Sequence, residues 1–221
     1  MFDRIAPRYD VLNRLLSLRQ DVRWRKKIVD HLPVKDKLIV LDLATGTADV
    51  LLTLFQETNH INYAVGLDRA RQMLEIGKKK SLSRHYPCYF ITGDAMQTPF
   101  PAHSFDAITI AFGIRNMLDV SRTLKEMYRL LRSHGRVLIL EFSLPKVPWW
   151  RQLYLFYFRN ILPRIGGVIS GDGYAYRYLN QTVETFPYGE EFCRLLTRAG
   201  FSNVQHISLS GGIAALYLGD K

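Results

Sequence analysis

In Ile39-Val40-Leu41-Asp42-Leu43-Ala44-Thr45-Gly46-Thr47-Ala48-Asp49-Val50 an apolar run gives way to a small-residue turn and then resumes with helical spacing. This pattern predicts strand, tight turn and helix. At such a junction the backbone N–H groups at the helix start are open to a ligand, and Gly46 between the small Ala44 and Ala48 keeps the approach clear. The tenant this suggests is nucleotide-like. Alanines at positions where a dinucleotide fingerprint has glycine argue against a pyrophosphate, which needs the closest backbone approach. A ligand with an adenosine and no phosphate fits better.

Working outward, Tyr63-Ala64-Val65-Gly66-Leu67-Asp68 reads as a second strand ending in an acid about twenty residues after the turn, the spacing at which a carboxylate takes both hydroxyls of a ribose. The alternative for Asp68 is a cap on the helix expected over Arg69 to Lys79. A third strand ends at Ile91-Thr92-Gly93-Asp94-Ala95, where Asp94 is placed to accept the exocyclic amine of adenine or, more simply, to shape a turn. A fourth strand is expected over Phe105 to Phe112, a helix over Leu124 to Leu131, and a strand over Arg136 to Phe142 after a turn ended by Gly135. The alternation from 38 to 142 predicts a parallel sheet covered on both faces, with Glu141 at the edge where such sheets place ligands.

Around this core, residues 1–37 read as a helical cap over the cofactor mouth. Residues 143–185 break the alternation with an aromatic run, Trp149 to Phe158, and a stretch marked by Gly166, Gly167, Gly171 and Gly173; this predicts an insertion that builds the acceptor pocket. Residues 186–221 read as a helix from Tyr188 to Ala199 and a hairpin of Val204 to Leu209 and Ile213 to Leu218.

With 221 residues, 48% of them hydrophobic, the chain is expected to make one domain with its own core. Cys88 and Cys193 stand apart, without a CxxC or His-rich setting, so neither a disulfide framework nor a metal site is suggested and a reducing compartment is expected. No apolar leader and no run of about eighteen apolar residues is found, which points to a cytoplasmic protein without a spanning helix. The net charge of +10 invites nucleic acid or an anionic membrane surface, and its sign alone does not choose.

The choice comes from longer segments. Phe2-Asp3-Arg4-Ile5-Ala6-Pro7-Arg8-Tyr9-Asp10, Leu41 to Asp49, Phe112-Gly113-Ile114-Arg115-Asn116, Leu140-Glu141-Phe142-Ser143, and Leu162-Pro163-Arg164-Ile165-Gly166 through Tyr176-Arg177-Tyr178-Leu179 together resemble the quinone-biosynthesis C-methyltransferases. That resemblance implies a class I methyltransferase fold: a Rossmann-like α/β domain whose seven-stranded sheet has the order 3-2-1-4-5-7-6, the seventh strand antiparallel. It implies S-adenosylmethionine as methyl donor and a polyprenylated quinol as acceptor. It places Gly46 and Thr47 in the cofactor turn, Asp68 at the ribose, and Asp94 with Ala95 beside the adenine. Asp42 is read as orienting the turn or receiving the amino group of the methionine moiety. Arg115 and Asn116, with Tyr9, are implied at the quinol ring, acting through a bound water. The chain departs from the family where Ala111 replaces a frequent serine, Ala48 replaces the second glycine of Gly-Thr-Gly, and Arg132-Ser133-His134-Gly135 replaces Lys-Pro-Gly-Gly.

Methyl transfer from a sulfonium is an in-line displacement, so much of the acceleration comes from holding the acceptor carbon against the methyl, and no metal is required. A ring carbon becomes nucleophilic once a neighbouring hydroxyl loses its proton. Arg115 and Asn116 are the candidates to stabilise that oxyanion. Arg115 stays protonated, so water or Glu141 is left to take the proton. The alternative for Arg115 is a structural ion pair, and for Tyr9 a packed cap residue. Asp172 and Tyr178 rank lower as pocket candidates.

The aromatic run suits a polyprenyl tail, and its arginines suit a helix resting at the inner face of the cytoplasmic membrane. Peripheral membrane contact is therefore expected, and a homodimer is left open. A nucleic-acid methyltransferase is disfavoured because no Pro-Pro-aromatic segment follows the fourth strand. A non-catalytic quinone carrier on the same scaffold is the other alternative, motivated by Ala48 and Ala111. The lack of an organellar leader favours a bacterial setting and so a naphthoquinol over a benzoquinol, demethylmenaquinol to menaquinol.

Overall fold

The computed structural model describes residues 19–162 and 180–221, together with Arg14, Ser17 and Arg164. Helix α1 (Gln20–Val29) precedes β1 (Leu38–Leu43), α2 (Asp49–Glu57), β2 (Ile61–Asp68), α3 (Arg71–Leu82), β3 (Cys88–Thr92), β4 (Phe105–Ala111), α4 (Val120–Leu130), β5 (Leu131–Phe142) and α5 (Pro148–Phe156). After the segment outside the described residues come a helical stretch at 180–185, α6 (Glu190–Arg198), β6 (Ser202–Leu209) and β7 (Ala214–Asp220).

The strands form one seven-stranded sheet in the order β3-β2-β1-β4-β5-β7-β6. β1 to β5 run parallel, and β7 lies antiparallel between β5 and β6. This is the topology that the family resemblance implies. β1 and β4 are apolar on nearly every position because helices cover both faces of a parallel sheet. Alternate residues sort to the two faces. Leu41, Ile108 and Ile139 meet Met127 of α4 and Phe192 of α6 on one side. Val40, Ala107 and Leu138 meet Ile28 of α1 and Leu51 of α2 on the other.

Several boundaries differ from those the periodicity predicts, each for a local reason. α3 starts at Arg71, not Arg69, because Asp68 Oδ1 accepts from the Ala70 N–H at 2.8 Å and holds a turn after β2. α4 stops at Leu130 and β5 begins at once, with Leu131 paired to Phe105. The expected turn survives as an irregularity within that strand: the register shifts between Phe105 and Ala107, and His134 is left-handed at φ 63. α6 starts at Glu190, not Tyr188, because Gly189 takes φ 61, ψ −134, a conformation essentially confined to glycine.

The described part of the aromatic run is helical. Pro148 opens α5, and the helix continues through a π-helical turn, Tyr157–Ile161. Tyr154, Phe158 and Leu162 are buried against Leu144 and Val183, with Phe142 packed beside them. The expectations for Tyr9, Asp172, Tyr178, the four glycines from 166 to 173 and the first helix around Leu12 and Leu15 fall outside the described residues.

Candidate functional site

The strands β1 and β4 are neighbours whose connections leave in opposite directions across the sheet, which opens a crevice at their carboxyl ends. The turn after β1 forms one lip. Ala44, Gly46 and Ala48 all take left-handed φ angles of 49, 55 and 66, alternating with ordinary residues. For the alanines this costs about 1 kcal/mol each. Tertiary contacts hold the turn: the Thr45 N–H donates to Leu67 O at 3.1 Å, and the Thr45 hydroxyl donates to Asp42 Oδ2 at 2.6 Å. Asp42 also accepts from the Thr109 hydroxyl of β4 at 2.7 Å. It is buried behind the turn and is not on the crevice wall. Burial pushes its carboxyl up to about 7, opposed by the two threonine hydrogen bonds and reinforced by the nearby Asp68 charge. Of its two expected roles, this placement matches orientation of the turn.

The crevice encloses about 800 Å³, counting the part open to solvent. Gly46, Asp68, Ala95 and Asn116 lie on its wall. A Cβ on Gly46 would meet nothing within 4 Å, so the glycine serves its φ and leaves the space above the turn clear. Asp68 Oδ2 accepts from the Gly46 N–H at 2.8 Å while Oδ1 holds Ala70. The carboxylate thus has its orientation set from both sides, and each oxygen keeps further acceptor capacity for a ribose hydroxyl. The capping and ribose readings of Asp68 are compatible in this geometry. Ala48 is accommodated by Gly77 of α3, where an added Cβ would lie 3.0 Å from the Ala48 methyl.

Asp94 itself lies at the rim: Gly93, Ala95 and Met96 line the crevice. Its Oδ1 accepts from the Met96 N–H at 2.9 Å, and Oδ2 lies 3.5 Å from Arg69. Leu67, Met73 and Met117 supply apolar wall, which suits a purine ring. These residues carry no motif that sequence reasoning could isolate. Thr47 is buried and off the wall.

Arg115 sits in the short 3₁₀ turn Ile114–Asn116 just past β4. Its Nη1 donates to Glu141 Oε1 at 2.7 Å and to Phe112 O at 2.6 Å, and its guanidinium carbon lies 5.3 Å from the centre of the Phe142 ring. Glu141 in turn accepts from the Phe142 N–H at 2.8 Å and is fully buried. The expected ion-pair reading of Arg115 is therefore present in the geometry, and it fixes a cation beside the crevice rather than on its wall.

Buried polar atoms without a partner cluster in this part of the chain. Among the described residues they are Arg115 Nε, Asn116 Oδ1, Tyr154 OH and Asn180 Oδ1. Such atoms are uncommon and mark places where a ligand or water completes the bonding. Burial raises the Tyr154 hydroxyl above the ordinary tyrosine value, with the Arg115 charge acting the other way. Tyr154 was one aromatic residue among many in the sequence, and only its packing singles it out. Cys193, His206 and Glu190 also come together, with Cys193 Sγ 3.6 Å from His206 Nδ1, but none of them lines the crevice.

The sheet order and a nucleoside-sized crevice at the switch point define a class I methyltransferase. A SAM-dependent methyltransferase from Thermotoga maritima shares the fold at TM-score 0.68 and 17% identity, covering 100% of both chains. One from Aquifex aeolicus does so at TM-score 0.61 and 15% identity, over 89% of this chain and 88% of its own.

More particularly, residues 1–221 match the ubiE/COQ5 methyltransferase family, and the chain belongs to it. It is 45% identical to a demethylmenaquinone methyltransferase of Thermus thermophilus, with 100% of both chains covered. It is 44% identical to the ubiquinone/menaquinone biosynthesis C-methyltransferase UbiE of Geotalea uraniireducens, covering 100% of this chain and 94% of that one. The chain is an S-adenosylmethionine-dependent C-methyltransferase.

Proposed function

We propose that this enzyme methylates a ring carbon of a polyprenylated quinol, with demethylmenaquinol as acceptor and menaquinol as product. The observation that carries the reading is the immobilised guanidinium of Arg115, next to Asn116 and beside the cofactor crevice, with unpartnered polar atoms around it. The names of the relatives support the choice of acceptor.

The crevice fits the methyl donor: an oriented carboxylate at Asp68, clear space above Gly46, and apolar wall from Leu67 and Met73. Asp68 is assigned to the ribose, Asp94 and Ala95 to the adenine, and Gly46 and Thr47 to the turn, which Asp42 holds in shape. The bound cofactor supplies an electrophilic methyl on a sulfonium.

The remaining work falls to the protein. Arg115 and Asn116 stabilise the oxyanion formed when a quinol hydroxyl loses its proton, which moves electron density onto the ortho carbon. That carbon takes the methyl as the carbon–sulfur bond breaks, and the ring then releases the proton it carried there. Glu141 has its oxygens engaged by Arg115 and by the Phe142 N–H, so it orients the cation. Solvent is left as proton acceptor. Tyr9 is assigned to the same ring. Contact with the membrane that stores the quinol belongs to this reading; among the described residues no helix is long and apolar enough to cross it.

Incubation with radiolabelled S-adenosylmethionine, a reductant and a demethylmenaquinol analogue, with a benzoquinol analogue in parallel, tests the proposal. Label should enter the naphthoquinol and disappear with Arg115→Ala. Label in the benzoquinol alone would reassign the ring, and label in neither would overturn the acceptor class.

A further inference from the structure

Helix α5 has two unlike sides. Tyr154 is buried at 6% exposure and Phe158 at 2%, whereas Val147, Trp149, Leu153 and Phe156 stand 48%, 69%, 54% and 59% exposed. Trp149, Leu153 and Phe156 are spaced i, i+4, i+7, which places them on one stripe of the helix. Scattered exposed apolar residues are ordinary, but a contiguous stripe of large ones marks a surface that meets something.

Charge indicates what it meets. From Ser143 to Gly171 the chain contains no Asp or Glu, while Lys146, Arg151, Arg159 and Arg164 fall within it. Lys146 and Arg151 are exposed. If the stripe were an isologous contact with a second copy, these cations would approach their own counterparts with no acid on the segment to answer them. An anionic lipid surface answers them instead. Lysine and arginine near such a surface are attracted to it, and tryptophan, leucine and phenylalanine insert at the headgroup level.

We infer that the exposed stripe of α5 docks the enzyme on an anionic bilayer. The buried side of the same helix packs with Phe142, over which the Arg115 guanidinium lies, so docking sets the catalytic edge of the sheet close to the lipid. A quinol could then present its ring while part of its tail stays in the bilayer. This purpose rests on the quinol reading, whereas the docking itself does not.

Flotation of the purified enzyme with phosphatidylcholine vesicles, with and without phosphatidylglycerol, tests the inference. The wild type should float with the anionic vesicles and less so at high salt. The triple variant W149S/L153S/F156S should lose binding by at least about tenfold, and K146Q/R151Q should weaken it chiefly at low salt. The triple variant should bind S-adenosylmethionine as the wild type does and methylate a short-tailed, water-soluble acceptor at the wild-type rate, but fall behind on a long-tailed acceptor in vesicles. Vesicle binding with no methylation of any quinol would leave the docking standing and sink the acceptor assignment. Unaltered flotation of the triple variant would overturn the inference. So would a triple variant that keeps its flotation and instead loses self-association in sedimentation velocity, since the stripe would then be a contact between copies.

Discussion

Arg115 and Glu141 form a buried ion pair, Nη1 to Oε1 at 2.7 Å, with side-chain exposures of 8% and 0%, and it ties the turn after β4 to the end of β5. A pair removed from water in this way contributes less to stability than to the placement of a charge. Deleting one partner is nevertheless costly, because the other is left buried and unanswered. Glu141→Ala should therefore destabilise the fold by about 3–5 kcal/mol, measured by chemical denaturation. Glu141→Gln should cost less and still lower kcat, because the amide holds Arg115 without balancing its charge.

Arg115→Lys tests whether charge alone suffices. An ammonium cannot reach Glu141, the Phe112 carbonyl and the Phe142 face in one geometry, as the planar fork does. The expected result is a fall in kcat of about a hundredfold, the magnitude typical of a lost oxyanion stabiliser, with the dissociation constant for S-adenosylmethionine little changed by calorimetry.

Tyr154→Phe separates stability from catalysis. The hydroxyl is buried with no partner, so removing it should leave stability unchanged or raise it by up to about 1 kcal/mol in a melting experiment. If the hydroxyl meets the quinol, kcat/KM for the acceptor should drop about tenfold, equivalent to one hydrogen bond of about 1.4 kcal/mol. An unchanged kcat/KM would assign Tyr154 to packing.

Asp42 predicts a pH dependence. Its carboxyl is pushed up to about 7 in the fold, against about 3.9 in an unfolded chain. Between these values the folded protein holds a proton that the unfolded chain has released, so stability is lost as pH rises from about 4 to about 7 and is level above. The full window corresponds to at most about 4 kcal/mol. Denaturation curves taken across it should show that slope in the wild type, and Asp42→Asn should flatten it.

Ala48 and Gly77 should be coupled. A methyl at position 77 would sit 3.0 Å from the Ala48 methyl and 3.2 Å from the Thr47 carbonyl carbon. Gly77→Ala should destabilise by about 1–3 kcal/mol through overpacking. Ala48→Gly in the same chain should recover part of that loss, and a double-mutant cycle should return a non-zero interaction energy.

The strand-turn-helix at 39–50, the acid closing β2, and the alternation that builds a parallel sheet could be read from residue order, because periodicity and turn chemistry act over a few neighbours. The acidic and basic residues at the strand ends could be picked out for the same reason, since strand ends are local features. Their pairings could not. Arg115 finds Glu141 because β4 and β5 lie side by side in register, and Asp68 grips Gly46 because β2 lies beside β1. Ala48 is tolerated because a glycine of α3 packs against it. Tyr154 and Trp149 belong to one aromatic run and are equivalent in composition; helix placement against Phe142 buries the first and leaves the second exposed. Sequence by itself determined which segments fold as which elements and which family chemistry they carry. Tertiary structure alone decided which charges meet, which polar atoms go unpaired and which side of α5 faces outward, because those depend on distances between residues far apart in the chain.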